Sequence, residues 1–596
     1  MKELQYLNKF FVKYKWHLLL GIVFVACSNY FRVLQPQAIR QALDLVYENI
    51  NSYKLYDGFA AQQAVIDSIG KSLLYFGALV LILAIIMGIF MYFMRQTIIV
   101  MSRLIEYDMR KEIYDHYQAL DLSFFKKSMT GDLMARVTED VSKVRMYLGP
   151  AVLYGINLTT LFVMVIYSMF SVSPELSWYC LAPLPILSLS IYFVSSIIHK
   201  KSEIIQRQLA KLNSISQEVF NGIRVVKSYT HEGYMAKYFG GECDDFKDKS
   251  MKLAGVNALF FPLMLLIIGA STILTIYFGG VQVYKGNITP GNIAEFVIYV
   301  NMLTWPVTAI GWIASIIQQA EASQQRINEF LDVEPLIKNE REEQLKVAGR
   351  VEFEDVSFVY PDTGIVGLDG VSFQVEPGKK LAIVGRTGSG KTTIAELLVR
   401  MYDVKAGRIL IDGIDVRAHN LQSLRRQIGY VPQDVFLFST TVEKNIGFGR
   451  QDITRAEAEE YAARAAVHSD IASLPEQYET MVGERGVTLS GGQKQRISIA
   501  RAFVKEPPII VMDDSLSAVD TDTENTIVRS LEADIALKTT IVITHRIYGL
   551  LKFDNIIVLD EGKIIEQGTH EELLEHQGYY AEMFERQRVS EVADEV

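Results

Sequence analysis

Gly385, Arg386, Thr387, Gly388, Ser389, Gly390, Lys391, Thr392 and Thr393 form an unbroken run whose glycines, lysine and hydroxyls have the spacing of a phosphate-binding loop. The apolar run Leu381–Val384 before it reads as a buried strand, and Ile394–Arg400 after it has helical spacing. In that setting the glycines let backbone N–H groups curl around phosphate oxygens, and the helix start adds its positive dipole end. Lys391 is expected to reach the β- and γ-phosphates, and the Thr392 hydroxyl suits Mg²⁺. The competing reading, a chance match in a glycine-rich turn, weakens with each partner motif downstream.

Two such partners follow. Ile509–Met512 reads as a buried strand ending in Asp513, and a carboxylate at a strand tip can hold Mg²⁺ through its water shell. Between the two lies Leu489, Ser490, Gly491, Gly492 and Gln493, leading into the helix-compatible Lys494–Val504. This is a second glycine-rich helix start, where backbone amides and Ser490 would meet a phosphate.

The elements that carry these residues occupy only the second half of a 596-residue chain. The composition is 49% hydrophobic with 30 Phe and 30 Tyr, too apolar for a soluble protein of this size. Six apolar spans account for it: Trp16–Ile39, Ser72–Met94, Met146–Pro174, Leu176–Ile198, Leu253–Tyr284 and Phe296–Ala320. Each is long enough to cross a bilayer as a helix, for which about 20 residues suffice. Lysines and arginines gather in the N-terminus and in 95–145 and 199–252, so both termini and both long loops are expected on the cytoplasmic side. Met1–Lys15, with Glu3 and many aromatics, is not expected to be a cleaved leader. The long loops read as extensions of the spanning helices, broken near Ser123–Gly131 and Tyr229–Tyr238, where short cross-helices would fit. The charged stretch Val333–Lys346 reads as a linker, Val351–Val359 alternates like a strand, and the tail beyond Gly578 carries no functional signal. A formal charge of −10 spread along the chain argues against a nucleic-acid partner, and three distant cysteines imply no disulfide framework.

Taken in order, these motifs resemble the nucleotide-binding domain of ABC transporters. Under that resemblance Tyr360 fits the aromatic that stacks on adenine, and Gln433, in Val431–Asp434, fits the glutamine that contacts Mg²⁺ and senses the membrane domain. Leu489–Gln493 fits the signature motif, and Gly483–Gly486 the short motif by which exporters touch their cytoplasmic loops. Ser517–Asp520 fits the D-loop, and His545, in Ile543–Arg546, the switch histidine near the γ-phosphate. The first half is similar, more loosely, to the six-span exporter domain: Phe124, Phe125, Gly131, Asp132 and Arg136 match its first loop, and Glu218, Gly222 and Val225–Lys227 its second.

The resemblance implies a membrane all-α six-helix domain (1–330), a linker (331–350), a cytoplasmic α/β P-loop ATPase domain (351–580) and a short tail (581–596). It implies ATP and Mg²⁺ as ligands, with Thr392, Gln433 and Asp513 at the metal and Lys391, Gln433, Asp514 and His545 in catalysis. In this family one subunit's phosphate loop faces the other's signature motif. A chain with one copy of each is therefore a half-transporter that must pair, in a bacterial inner or cell membrane. The expected activity is ATP-driven export or flipping of drug-like or lipid-like molecules; an ATP-gated channel or regulatory subunit is the alternative. One departure stands out. Asp514 occupies the place where the family normally has the glutamate that polarises the attacking water. It is one methylene shorter, roughly 1.5 Å of reach, and a misplacement of about 1 Å costs on the order of 10²-fold in rate. Asp514 is either a slow base or the mark of a degenerate site whose partner supplies the glutamate; the heterodimer is the favoured reading. Within the spans, Arg32 would bind an anionic headgroup, pair with a carboxylate or snorkel, and Glu295 opens the sixth span. Trp305, Pro306 and Trp312 would line a cavity for an amphipathic substrate or simply pack and kink a helix.

Overall fold

The structure, a computed structural model, describes residues 2–55, 61–339, 341–450, 452–483, 489–515, 538–545 and 553–594. It divides into two units: Met1–Tyr117 with Gly131–Val333, and Gln118–Thr130 with Glu334–Val596.

The described part of the first unit is helical throughout. In chain order come α1 (Asn8–Lys13), α2 (Lys15–Leu55) and α3 (Ala61–Ala119); α4 (Leu122–Lys127) belongs to the second unit. Then follow α5 (Thr130–Ala135), α6 (Val141–Met146), α7 (Val152–Val172), α8 (Pro174–Leu181) and α9 (Pro183–Asn221). The unit ends with α10 (Ile223–Ser228), α11 (Glu232–Tyr284) and α12 (Pro290–Leu331). Five stretches among the described residues are long and apolar enough to cross a membrane: Lys15–Ile50, Gln62–Ala119, Thr130–Val172, Glu232–Tyr284 and Pro290–Leu331. The fourth apolar segment, 176–198, is split at Ala182 because Pro183 has no N–H to continue the ladder. Ala182 keeps helical dihedrals and donates to the Trp178 carbonyl, so the backbone runs on in helical geometry to Pro183. On α3, Leu74, Tyr75, Leu81 and Ile85 face outward; a helix that is apolar on all sides and uncovered suits lipid.

Phe296, Tyr299, Val300 and Leu303 of α12 are fully buried, in one cluster with Val33 of α2, Val165 and Met169 of α7 and Cys180 of α8. Glu295 is completely buried and neutralised: Arg40 lies 3.2 Å away, and Tyr299 Oη donates to it at 3.0 Å. Arg32 makes no ion pair or hydrogen bond among the described residues. On α2 it lies between Asn29, which donates to Asn157 and Thr160, and the side bearing Ser28 and Gln35, both of which contact Met87. The tryptophans pack: the Tyr154 ring makes edge contacts with Trp305 and Trp312, at 5.5 Å each. In the second long loop the short helix sits earlier than expected. It is α10, Ile223–Ser228, while Tyr234 and Tyr238 already belong to α11. Gly222 leaves helical dihedrals and ends α9, and Thr230, at φ 54°, makes the turn into α11.

The second unit carries two sheets. A four-stranded antiparallel sheet has the order β2 (Val366–Val375), β1 (Val351–Val359), β4 (Ala406–Ile411), β5 (Ile414–Asp415). The other has the order β10 (Lys563–Gly568), β9 (Asn555–Asp560), β3 (Lys380–Gly385), β8 (Thr539–Ile543), β7 (Ile509–Asp513), β6 (Ile428–Val431). From β9 to β6 the pairing is parallel. Such strands are covered on both faces, and Leu381–Gly385, Ile509–Asp513 and Thr539–Ile543 are all buried. Register aligns Ile383 with Ile543 and Ile543 with Asp513, so β3, β8 and β7 end at one edge. Ligands of open α/β sheets bind outside the carboxyl ends of their strands.

The stretch before β1 is tied down more than a linker would be: Asp412 accepts from the N–H groups of Ala348, Gly349 and Arg350, and Gln427 from that of Val347. The tail is a helix, Tyr579–Asp594, whose Tyr580 is buried on His570 through a 2.7 Å hydrogen bond.

Candidate functional site

Where β3 ends, the chain turns through Gly385–Gly390 into α13 (Lys391–Leu398). Glycine is required here. A Cβ on Gly385 would lie 2.1 Å from the Leu559 carbonyl oxygen, and one on Gly390, at φ 100°, 2.2 Å from that of Gly367. Lys391 is buried and donates to the carbonyls of Gly385 (2.9 Å) and Arg386 (2.7 Å), so its ammonium caps its own loop. Burial lowers its pKa, opposed by the charges of Asp514 and Asp513.

Asp513 ends β7 and is 1% exposed, and neither carboxylate oxygen meets a hydrogen-bond donor in good geometry among the described residues. Burial pushes its carboxyl up to about 6; Asp514 and Glu396 push the same way, while Thr392 and Lys391 oppose. Buried, unpaired oxygens beside a threonine hydroxyl and lysine suit a divalent cation, so Asp513 and Thr392, with Gln433 nearby, fit Mg²⁺. Asp514 follows with a left-handed backbone, φ 46°, and its N–H donates to the Ile543 carbonyl at 2.9 Å. Gln433, just past β6, reaches Asp514 Oδ2 at 3.4 Å. His545 lies two residues beyond β8; burial first, then the Lys391 cation, holds its imidazole below the usual pKa, hence neutral near pH 7. Tyr360, just past β1, is held by its hydroxyl, which donates to Glu396 (3.1 Å) and accepts from the Thr393 hydroxyl (2.8 Å), and by an edge contact with Phe358.

One cavity of about 380 Å³ is lined by Tyr360, Thr387, Gly388, Gly390, Lys391, Thr392, Thr393, Gln433, Asp513, Asp514 and His545. A larger groove in the same unit, about 640 Å³, runs past Asp121, Phe125 and Arg425 and contains none of them. The cavity brings together the expected nucleotide residues except Gly385, Arg386 and Ser389 of the loop and the signature run, which do not line it. There Ser490 caps α14 (Gly491–Phe503): its Oγ accepts from the Gln493 N–H, and Gln493 Oε1 accepts from the Ser490 N–H. Leu489 is buried beneath, while Ser490 and Gly491 are exposed. The D-loop expected at Ser517–Asp520 lies outside the described residues, as does 484–486 of the motif before the signature.

Four residues went unnoticed in the sequence. Glu396 follows Thr392 by one helical turn, a spacing visible in the chain. Lys126 lines the cavity from a segment more than 200 residues upstream, and no local pattern could have pointed to it. The tail helix also reaches the site: Arg386 Nε donates to Tyr579 Oη at 2.7 Å, and Gln587 donates to the His545 carbonyl.

Comparison with known proteins bears on both units. Residues 18–307 match the family model described as "ABC transporter transmembrane region", and residues 368–517 the one described as "ABC transporter". A "probable multidrug resistance ABC transporter ATP-binding/permease protein", YheI of Bacillus subtilis, is 36% identical across 98% of both chains. An "ATP-dependent lipid A-core flippase" of Syntrophus aciditrophicus is 36% identical across 82% of each. Among solved structures, a bacterial Atm1-family ABC exporter with ATP bound superposes with a TM-score of 0.76 at 28% identity, covering 96% of this chain and 99% of that one.

Proposed function

The chain belongs to the ABC transporter family, as an exporter half that fuses one membrane unit to one ATPase unit, and on that premise we propose how its residues divide the work. It is a multi-pass membrane protein and an ATPase coupled to transport. The observation that carries the residue assignment is the single cavity holding Tyr360, Lys391, Thr392, Gln433, Asp513, Asp514 and His545.

ATP binds with its base on Tyr360 and its phosphates in the loop Gly385–Thr393, where Lys391 exchanges the carbonyls of Gly385 and Arg386 for phosphate oxygens. Asp513, Thr392 and Gln433 hold Mg²⁺, which when bound neutralises phosphate charge. Gln433 and Asp514 orient the attacking water, and neutral His545 donates a hydrogen bond toward the γ-phosphate. Ser490 and its glycines serve the phosphates of a second half-transporter, which supports an obligatory pair. Exposed Phe220, Val225, Tyr229 and Tyr234 in the second loop, and Phe436, Phe438 and Phe448 on the ATPase unit, are further surfaces suited to a partner.

Asp514 supports a heterodimer whose other chain carries glutamate. The cargo is a hydrophobic or amphipathic molecule, drug-like or lipid-like, supported by relatives named for multidrug resistance and lipid A flipping. The membrane is a bacterial inner or cell membrane with both termini in the cytoplasm. The test is ATP-driven accumulation of a fluorescent amphiphile in vesicles containing the assembled transporter. Lys391→Ala should abolish it, and uptake near the wild-type rate would overturn the assignment of this loop.

A further inference from the structure

The base end of the nucleotide cavity has a wall contributed from far upstream. Lys126, in the last turn of α4, lines the cavity together with Tyr360 and the phosphate loop. Its ammonium stands 5.1 Å from the centroid of the Tyr360 ring and 3.6 Å from Glu396 Oε1. Glu396 accepts from the Tyr360 hydroxyl through its other oxygen, so one carboxylate holds both the ring and the cation above it. The helix carrying Lys126 is itself anchored: Asp121 accepts from the N–H groups of Ser123 and Phe124 at its start and, through Oδ2, from the N–H of Leu336. The backbone that carries the lysine is thus held at the cavity.

A purine that stacks on Tyr360 needs a ring face open to the cavity. A cation over a ring that lines that cavity occupies the same place, and the two cannot share it. We propose that Lys126 guards the base end of the pocket: it competes with the purine for Tyr360, and a bound base displaces its ammonium from the ring while Glu396 retains it. The proposal rests on Tyr360 being the base platform. It makes the pocket discriminate by base as well as by phosphate, since a ligand without a base leaves the lysine where it is.

The test uses the full-length transporter in lipid nanodiscs. Affinities for MgATP and for magnesium tripolyphosphate, which has no base, are measured by displacement of a fluorescent nucleotide. Losing a positive charge near the phosphates affects both ligands, so the ratio of the two affinities isolates the base end. In Lys126→Met, and equally in Lys126→Gln, the ratio should shift toward ATP by roughly two- to five-fold, the span of one partly exposed cation–ring contact. Lys126→Arg, which keeps a cation over the ring, should hold the wild-type ratio. In a Tyr360→Leu background the Lys126→Met change should leave the ratio unmoved. An unshifted ratio in both neutral variants, or the same shift without the tyrosine, would overturn the role of Lys126. Should Tyr360→Leu alone leave the ratio unchanged, the base-platform reading itself falls, and the proposal with it.

Discussion

Asp513 and Asp514 are adjacent carboxylates in different environments. Burial raises Asp513 from the usual 3.8 to about 6, so the native state binds more protons than the unfolded chain across that interval. Native stability therefore falls as pH rises through the window, and above about pH 6 the ionised carboxylate costs on the order of 3 kcal/mol. In nucleotide-free, chelator-treated protein, Asp513→Asn should melt higher than wild type at pH 7.5, and the gap should close as pH falls from 6 toward 4. Adding Mg²⁺ with nucleotide should stabilise the wild type more than the variant. A gap independent of pH would show that Asp513 titrates in the native protein as it does in the unfolded chain. The type and order of both carboxylates were legible in the chain. Their burial was not, because it depends on β7 lying between β6 and β8, a pairing across long sequence separations.

At the scale of elements, α4 illustrates how far local signals reach. A break near Ser123–Gly131 was legible in the chain; the cap that makes it is seen only in the structure, where Ser123 N–H lies 3.0 Å from Asp121 Oδ1. Removing the cap in Asp121→Ala should cost about 1 kcal/mol locally, which speeds amide exchange in residues 122–127 about five-fold with little change in α13. Equal acceleration in both helices would mean that the cap supports the whole unit. Elsewhere the local signals misled. The second cross-helix precedes Tyr229 because Gly222, not the aromatic cluster, ends α9. Within the apolar run 176–198, Pro183 interrupts the hydrogen-bond ladder while Ala182 keeps helical geometry. The tail looked inert in sequence because its contacts, Tyr579 with Arg386 and Gln587 with His545, pair residues 193 and 42 positions apart.

At the scale of the whole molecule, the phosphate loop and the exposed Ser490 cap do not share a cavity, which supports the proposal of a working site shared between two chains. With a partner that carries glutamate, turnover occurs where the partner's phosphate loop meets Ser490. Asp514→Asn should then retain most steady-state hydrolysis, whereas Ser490→Arg should lower it by about 10²-fold or more, the scale of losing a charge-stabilising donor. Near-complete loss in Asp514→Asn, with ATP still bound, would instead make Asp514 the general base. The left-handed backbone at Asp514 also has a genetic reading. Aspartate and glutamate codons differ only in their third base, so a single transversion would lengthen this side chain. Aspartate tolerates a φ of 46° better than glutamate does. Glutamate at this position is therefore one mutation away, and the left-handed backbone sets a conformational cost against it.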